Sequence, residues 1–160
     1  MKLRLAIAQY IRPGHPAGHE HWALVAFTPS NPESYVFQVV GNTDTFRYKP
    51  MANVKLLRSQ KLCGGYEVGE VDEAQIQWLT AHLGTLPIVH NDPTWHCQAW
   101  VISAIRELQQ FPDKVTIFPG FSAANARQHL AQERTLWESA ESHFFETVFA
   151  ASKPPSPKSA

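Results

Sequence analysis

The chain has 160 residues, 44% hydrophobic and 18% charged, which suits one domain with a core of its own and does not suit a disordered chain. Fourteen basic and fourteen acidic residues give a formal net charge of zero, which removes the electrostatic case for nucleic acid or an anionic membrane as partner. Two cysteines, Cys63 and Cys97, make no disulfide framework, and no stretch approaches the roughly 18 apolar residues of a membrane helix.

In chain order, Lys2–Ile11 alternates charged or small residues with Leu3, Leu5 and Ile7, a strand signal; interrupted by Gln9, it makes a poor signal peptide. Arg12–Gly18, with two prolines and two glycines, is a loop. His21–Phe27 reads as a strand buried on both faces. After the Ser30–Glu33 turn, Ser34–Val40 reads as a second buried strand, stopped by Gly41 and paired with the first as a hairpin. Further strands are expected at Thr45–Lys49 and Asn53–Gln60, and the turn Cys63-Gly64-Gly65 leads into a weaker one at Tyr66–Val71.

Asp72 is a good N-cap for a helix over Glu73–Leu83, and Gly84 fits as its stop. From Trp95 to Gln110 the spacing is helical, with Cys97, Val101, Ala104 or Ile105, and Leu108 on one face; Thr94 is the natural N-cap and would make Cys97 the third helical residue. Asp113–Phe118 adds a short strand or loop. Two helices, Ser122–Ala131 and Thr135–Ala150, close a single domain over 1–150, and 151–160 reads as a flexible Pro/Ser/Lys tail. The class expected is α+β, an antiparallel sheet packed against helices.

The stretch Asn91–Val101 carries the chemistry. It sets Cys97 just after a turn-forming Asn-Asp-Pro, at a helix start whose unpaired N–H groups and partial positive charge favour a thiolate. A nucleophilic thiol needs a base, and the base needs an orienting group. His21 opens a doubly buried strand, and Gln38 sits among Val36, Phe37, Val39 and Val40 on the neighbouring one, where an imidazole N–H would satisfy its amide. A cysteine on an amphipathic helix is most often a small core residue. The order His on a strand, polar residue on the next, Cys at a helix start is what favours catalysis.

The segments His21-Trp22-Ala23-Leu24-Val25, Tyr35-Val36-Phe37-Gln38-Val39 and Trp95-His96-Cys97-Gln98-Ala99-Trp100-Val101 resemble the permuted NlpC/P60 group of papain-like thiol enzymes, most nearly its lecithin:retinol acyltransferase-like and H-rev107-like branch. That resemblance implies a papain-like fold in circularly permuted order, with Cys97 as nucleophile, His21 as base and Gln38 where a second histidine usually stands. It implies acyl transfer or hydrolysis through a thioester on an amide or ester substrate. The membrane anchor typical of lipid-acting members is not expected here, and His96 and Gln98-Ala99-Trp100 differ from the usual motif. Cys63-Gly64-Gly65-Tyr66 is faintly similar to a glycine-rich segment of the PPPDE deubiquitinase-like peptidases, a weaker match.

Trp22, Trp95, His96 and Gln98 are the expected substrate-binding neighbours, with His96, Gln98 and Tyr10 as candidates for the second oxyanion donor. No cofactor and no metal are expected, and the partner is a small-molecule, peptide or lipid substrate in a cytoplasmic setting. Two rivals stand beside this reading. His15, His19, His21, His90 and His96 with Cys97 could form a zinc site, although no Cys/His pair spacing supports it. Alternatively the same fold could be a non-catalytic small-molecule-binding or biosynthetic-pathway protein, with Trp22, Trp95 and Trp100 walling an apolar pocket.

Overall fold

A computed structural model describes residues 1–151. Its elements are β1 (Lys2–Tyr10), β2 (His21–Thr28), β3 (Asn31–Phe37), β4 (Val39–Val40), β5 (Arg47–Tyr48), β6 (Met51–Lys55), β7 (Leu62–Asp72), α1 (Ile76–Leu83), α2 (Cys97–Leu108), β8 (Val115–Ile117), α3 (Ala123–Glu138) and α4 (Phe144–Ala151). Six strands form one sheet in the order β6-β3-β2-β1-β7-β8, and every pairing is antiparallel. The short strands β4 and β5 pair separately. Helices pack on this sheet, so the α+β expectation holds.

The period of two along β1 and β2 divides the core into two layers. Leu3, Leu5, Ile7 and Leu24 join Leu79 and Leu83 of α1, Val101, Ile105 and Leu108 of α2, and Leu130 of α3. Ala6, Ala8, Val25 and Phe27 face the other way, against Phe145 and Phe149 of α4. The small alanines make room for those rings; Phe145 meets Phe27 edge-on with centroids 5.4 Å apart, and Phe149 lies tilted to it at 5.8 Å. Each fully buried side chain of this size contributes about 1.5–3 kcal/mol.

Several boundaries differ from the sequence reading, each for a local reason. The weak strand expected at 66–71 is β7, eleven residues long and paired on both edges. Its glycines lower strand propensity but admit its neighbours. A Cβ on Gly64, whose φ is +139°, would stand 2.4 Å from Glu133, and one on Gly65 would stand 2.4 Å from the ring of Phe145. The buried Glu133 carboxylate then accepts from the N–H groups of Gly65 (2.9 Å) and Phe144 (2.7 Å), tying β7, α3 and α4 together. Asp72 does cap, accepting from Ala74 N–H, but a 3-10 turn over Glu73–Gln75 precedes α1. The two helices expected at 122–131 and 135–150 break instead at 139–143, where Ala140 takes φ +58°. Ala151 closes α4, and the rest of the tail expected over 151–160 lies outside the described residues.

Candidate active site

Three segments meet at the head of the sheet: the Arg12–Glu20 loop leading into β2, the β3–β4 junction, and the start of α2. The single strand expected over 34–40 is interrupted. β3 ends at Phe37, and Gln38 occupies the break before β4, its carbonyl accepting from Lys49 N–H at 2.8 Å. Freed from the ladder, the Gln38 side chain meets His21, with Oε1 2.7 Å from Nε2. The other end of the amide, Nε2, points at the Met51 sulfur 3.5 Å away, an acceptor only. Oxygen therefore faces the imidazole, which makes His21 Nε2 the N–H donor and leaves Nδ1 as the basic nitrogen. Burial lowers the His21 pKa below the usual histidine value, and the Arg12 guanidinium lowers it further, against the opposing hydrogen bond from Gln38. At neutral pH the ring is uncharged.

The cap of α2 is His96, not Thr94. Thr94 is taken up by Asp92, whose carboxylate accepts from its N–H (2.9 Å) and its hydroxyl (2.6 Å). His96 Nδ1 accepts instead from Gln98 N–H at 3.3 Å. Cys97 becomes the first residue of the helix, where its backbone N–H stays outside the helical ladder. Burial also lowers the pKa of His96, with His19, Arg12 and Arg127 adding to the effect.

The thiol corrects one expectation. Cys97 is 4% exposed, and burial raises its pKa despite opposing contributions from the Trp22 backbone N–H, Arg12, and the N–H groups of Gln98 and Cys97 itself. The helix start is outweighed by desolvation, so the resting group is a thiol. Its sulfur lies 4.0 Å from the Glu20 carbonyl, and no hydrogen bond among the described residues joins it to His21. The two side chains nevertheless line one cavity of about 270 Å³, together with Arg12, Val39, Val40, Gly41 and Phe46.

The other expected site residues sit around this pair rather than in it. Gln98 is 3% exposed and turned inward, its amide donating to the carbonyls of Glu20 (2.9 Å) and Gly18 (3.1 Å). It stitches the start of α2 to the loop before His21. Trp22 is buried, with its indole N–H on Gln9 Oε1 at 3.3 Å. Trp95 packs edge-on to Phe46, a wall of the cavity, with centroids 5.5 Å apart. Tyr10 lies in register with His21, its ring 5.9 Å away, and burial pushes its hydroxyl up to about 12.

Two residues escaped the sequence reading. Glu20 is 5% exposed; its carboxylate accepts from Gly18 N–H and pairs with Arg134 of α3, while its carbonyl receives both Cys97 and Gln98. Arg12 lines the cavity and acts electrostatically on Cys97, His21 and His96. The only sequence signal for either was adjacency to His21 or to the Pro/Gly loop. His90, named for a zinc site, instead bonds the Phe46 carbonyl through Nε2 at 2.7 Å. Among the described residues no group of three or more His, Cys, Asp or Glu could hold a metal ion, and no helix is long and apolar enough to cross a membrane.

No curated protein and no solved structure matches the chain. A family profile matches residues 7–111, a span holding His21, Gln38, Cys97 and the whole six-stranded sheet except its β8 edge and the first residues of β1. The chain belongs to that family, DUF6540, described as a family of unknown function.

Proposed function

We propose that the protein is a cysteine-dependent hydrolase or acyltransferase, papain-like in circularly permuted order, with Cys97 as nucleophile, His21 as base and Gln38 as orienting group. The observation that carries this reading is the 2.7 Å bond from His21 Nε2 to Gln38 Oε1, made by an imidazole that shares a cavity with Cys97. Its other ring nitrogen, Nδ1, is the unprotonated one, on a side chain that lines the same cavity as the thiol.

Because the thiol is protonated at rest and the imidazole neutral, the reaction begins by general-base transfer. The Cys97 sulfur leaves the Glu20 carbonyl, its proton passes to His21 Nδ1, and the carbon–sulfur bond to the substrate carbonyl forms. The Cys97 backbone N–H stabilises the oxyanion. The carbonyl reforms as the bond to the leaving heteroatom breaks, and that atom takes the proton from His21. Water or an acceptor hydroxyl or amine then gives its proton to His21 and attacks the thioester, and the departing Cys97 sulfur recovers that proton.

The test compares ester hydrolysis and iodoacetamide labelling in wild type, Cys97→Ala and His21→Ala. The reading requires hydrolysis to vanish in both variants and labelling of Cys97 to slow in His21→Ala. Labelling of Cys97 that is indifferent to His21, with no turnover, would sink it. The second reading, a non-catalytic pocket, draws its support from the burial that raises the Cys97 pKa, and that same outcome would establish it.

A further inference from the structure

A second and larger cavity, about 530 Å³, is also lined by His21. It shares Arg12 and His21 with the Cys97 cavity, so these two side chains border both spaces. Its apolar lining includes Val54 and Leu56 with the ring of Tyr10. Its formal charges are all of one sign: Arg12, Lys55 and Lys61 line it, and no aspartate or glutamate does. In a chain of zero net charge, that segregation is local.

Two other arginines are neutralised, Arg4 by Glu67 and Arg134 by Glu20 and Glu138. None of Arg12, Lys55 and Lys61 has a carboxylate partner among the described residues. Arg12 only donates to the His19 carbonyl at 3.5 Å. Glu33, the cross-strand neighbour of Lys55, accepts from Asn53 and does not line the cavity. The backbone fixes the arrangement: Ile11 N–H donates to the Lys61 carbonyl at 2.8 Å, holding that loop beside the end of β1, and Lys55 closes β6.

On the acyl-transfer reading, on which this step rests, the two spaces divide a substrate. The carbonyl carbon must lie against Cys97, so the acyl part occupies the smaller cavity beside Val39, Val40 and Phe46. The leaving atom must receive its proton from His21, so whatever it carries continues past the imidazole into the larger cavity. We infer that the protein takes small acyl esters, thioesters or amides whose leaving group bears an oxyanion, carboxylate or phosphate, on an apolar body. The Arg12 fork and the two lysines hold the oxyanion, and the Tyr10, Val54 and Leu56 surface holds the body. The chemistry balances without a co-reactant beyond water or the acceptor: the carbon–heteroatom bond breaks, the carbon–sulfur bond forms, and the thiol proton leaves on the anionic alcohol, thiol or amine.

Three butyrate esters test this, those of phenol, 4-hydroxybenzoate and 4-hydroxyphenyl phosphate, with wild type compared to the Lys55→Gln/Lys61→Gln double variant. The expected kcat/KM favours an anionic ester over the phenyl ester by about tenfold, the equivalent of roughly 1.4 kcal/mol. The double variant cuts that preference, read as the ratio of the kcat/KM values for the anionic and phenyl esters, about fivefold, and added salt does the same. Whichever of the two anionic esters is faster identifies the oxyanion as carboxylate or phosphate. Equal rates for all three esters, or a preference unmoved in the double variant, overturn the inference.

A second measurement separates this from a failure of catalysis. Cys97→Ala protein is titrated with benzoate and phenyl phosphate at low salt. Saturable binding that weakens about fivefold on adding the two lysine substitutions supports the cleft even if no ester turns over. No binding of either probe overturns it.

Discussion

The two cysteines are buried in one domain and differ in what surrounds them. Cys63 lies on β7, fully buried; burial and the nearby Glu20 carboxylate push its thiol up to about 12, against weaker help from Arg134 and Gln9. Cys97 is nearly as buried, but three backbone N–H groups and the Arg12 guanidinium pull against its desolvation. It also opens onto a cavity that contains an imidazole with a fixed tautomer. The contrast teaches that burial alone makes a thiol inert, and that donors, a cation and a reachable base are what distinguish a candidate nucleophile.

The largest effect that can break this contrast is loss of the sulfur itself. Cys97→Ala removes hydrolysis by about 10³-fold or more if the thiol is the nucleophile. Cys63→Ala keeps the rate near wild type and costs about 1 kcal/mol in a urea titration, as expected for a small vacated volume in a core. Equal losses of rate in the two variants would abolish the distinction drawn between them.

Gln38 comes next. Gln38→Ala frees the imidazole to rotate and should lower kcat about 10- to 100-fold with little change in stability, because orientation of the base is what is lost. Gln38→Glu retains an acceptor but adds a negative charge beside His21, which favours the imidazolium. The acid limb of the pH–rate profile should then move to higher pH. A profile that does not move would mean that Gln38 is a packing residue.

These predictions rest on residues that were unequally legible in the sequence. His21, Gln38 and Cys97 stood out because a polar side chain inside an apolar run must have a partner, and the pairing of two of them follows from the β2–β3 hairpin. Thr94 misled because an Asx turn from Asp92 had already engaged its hydroxyl, a competition that spacing does not reveal. β7 was undervalued because Gly64 and Gly65 read as a turn, whereas their lack of side chains serves helices that arrive about seventy residues later. Glu20 was hidden for the same reason, a tertiary partner, and Arg12 because two of the groups its charge acts on, His96 and Cys97, lie far along the chain. The Arg134 that neutralises Glu20 is 114 residues away.

Alkylation across pH sharpens the comparison of the thiols more finely. In the folded protein Cys97 should label with a midpoint above that of an ordinary free thiol, since burial outweighs its donors. Cys63 should stay unlabelled until unfolding. Labelling of Cys97 with a midpoint well below the ordinary value would mean that a thiolate pre-exists, and that the general-base order of proton transfer argued above is wrong.

The smallest effect concerns stability in mild acid. Burial depresses the pKa of His21, His96 and His143 in the folded state, while the unfolded chain titrates near the ordinary value of about 6.5. As pH falls through about 6.5 the unfolded chain binds protons that the folded one refuses, so stability declines from there down to the folded pKa values and is fully present above about 6.5. Urea midpoints should therefore drop between about pH 7 and about pH 5. His21→Gln, which cannot titrate, should drop less over that window than wild type, and His143→Gln likewise. The two variants separate the regions: His21 borders the candidate site, whereas His143 lies at the start of α4 beside Glu133 and Glu146. A pH dependence that only His143→Gln flattens would locate the acid sensitivity in the α4 packing. One that His21→Gln flattens shows that the neutral imidazole assumed for proton abstraction is a property of the folded state.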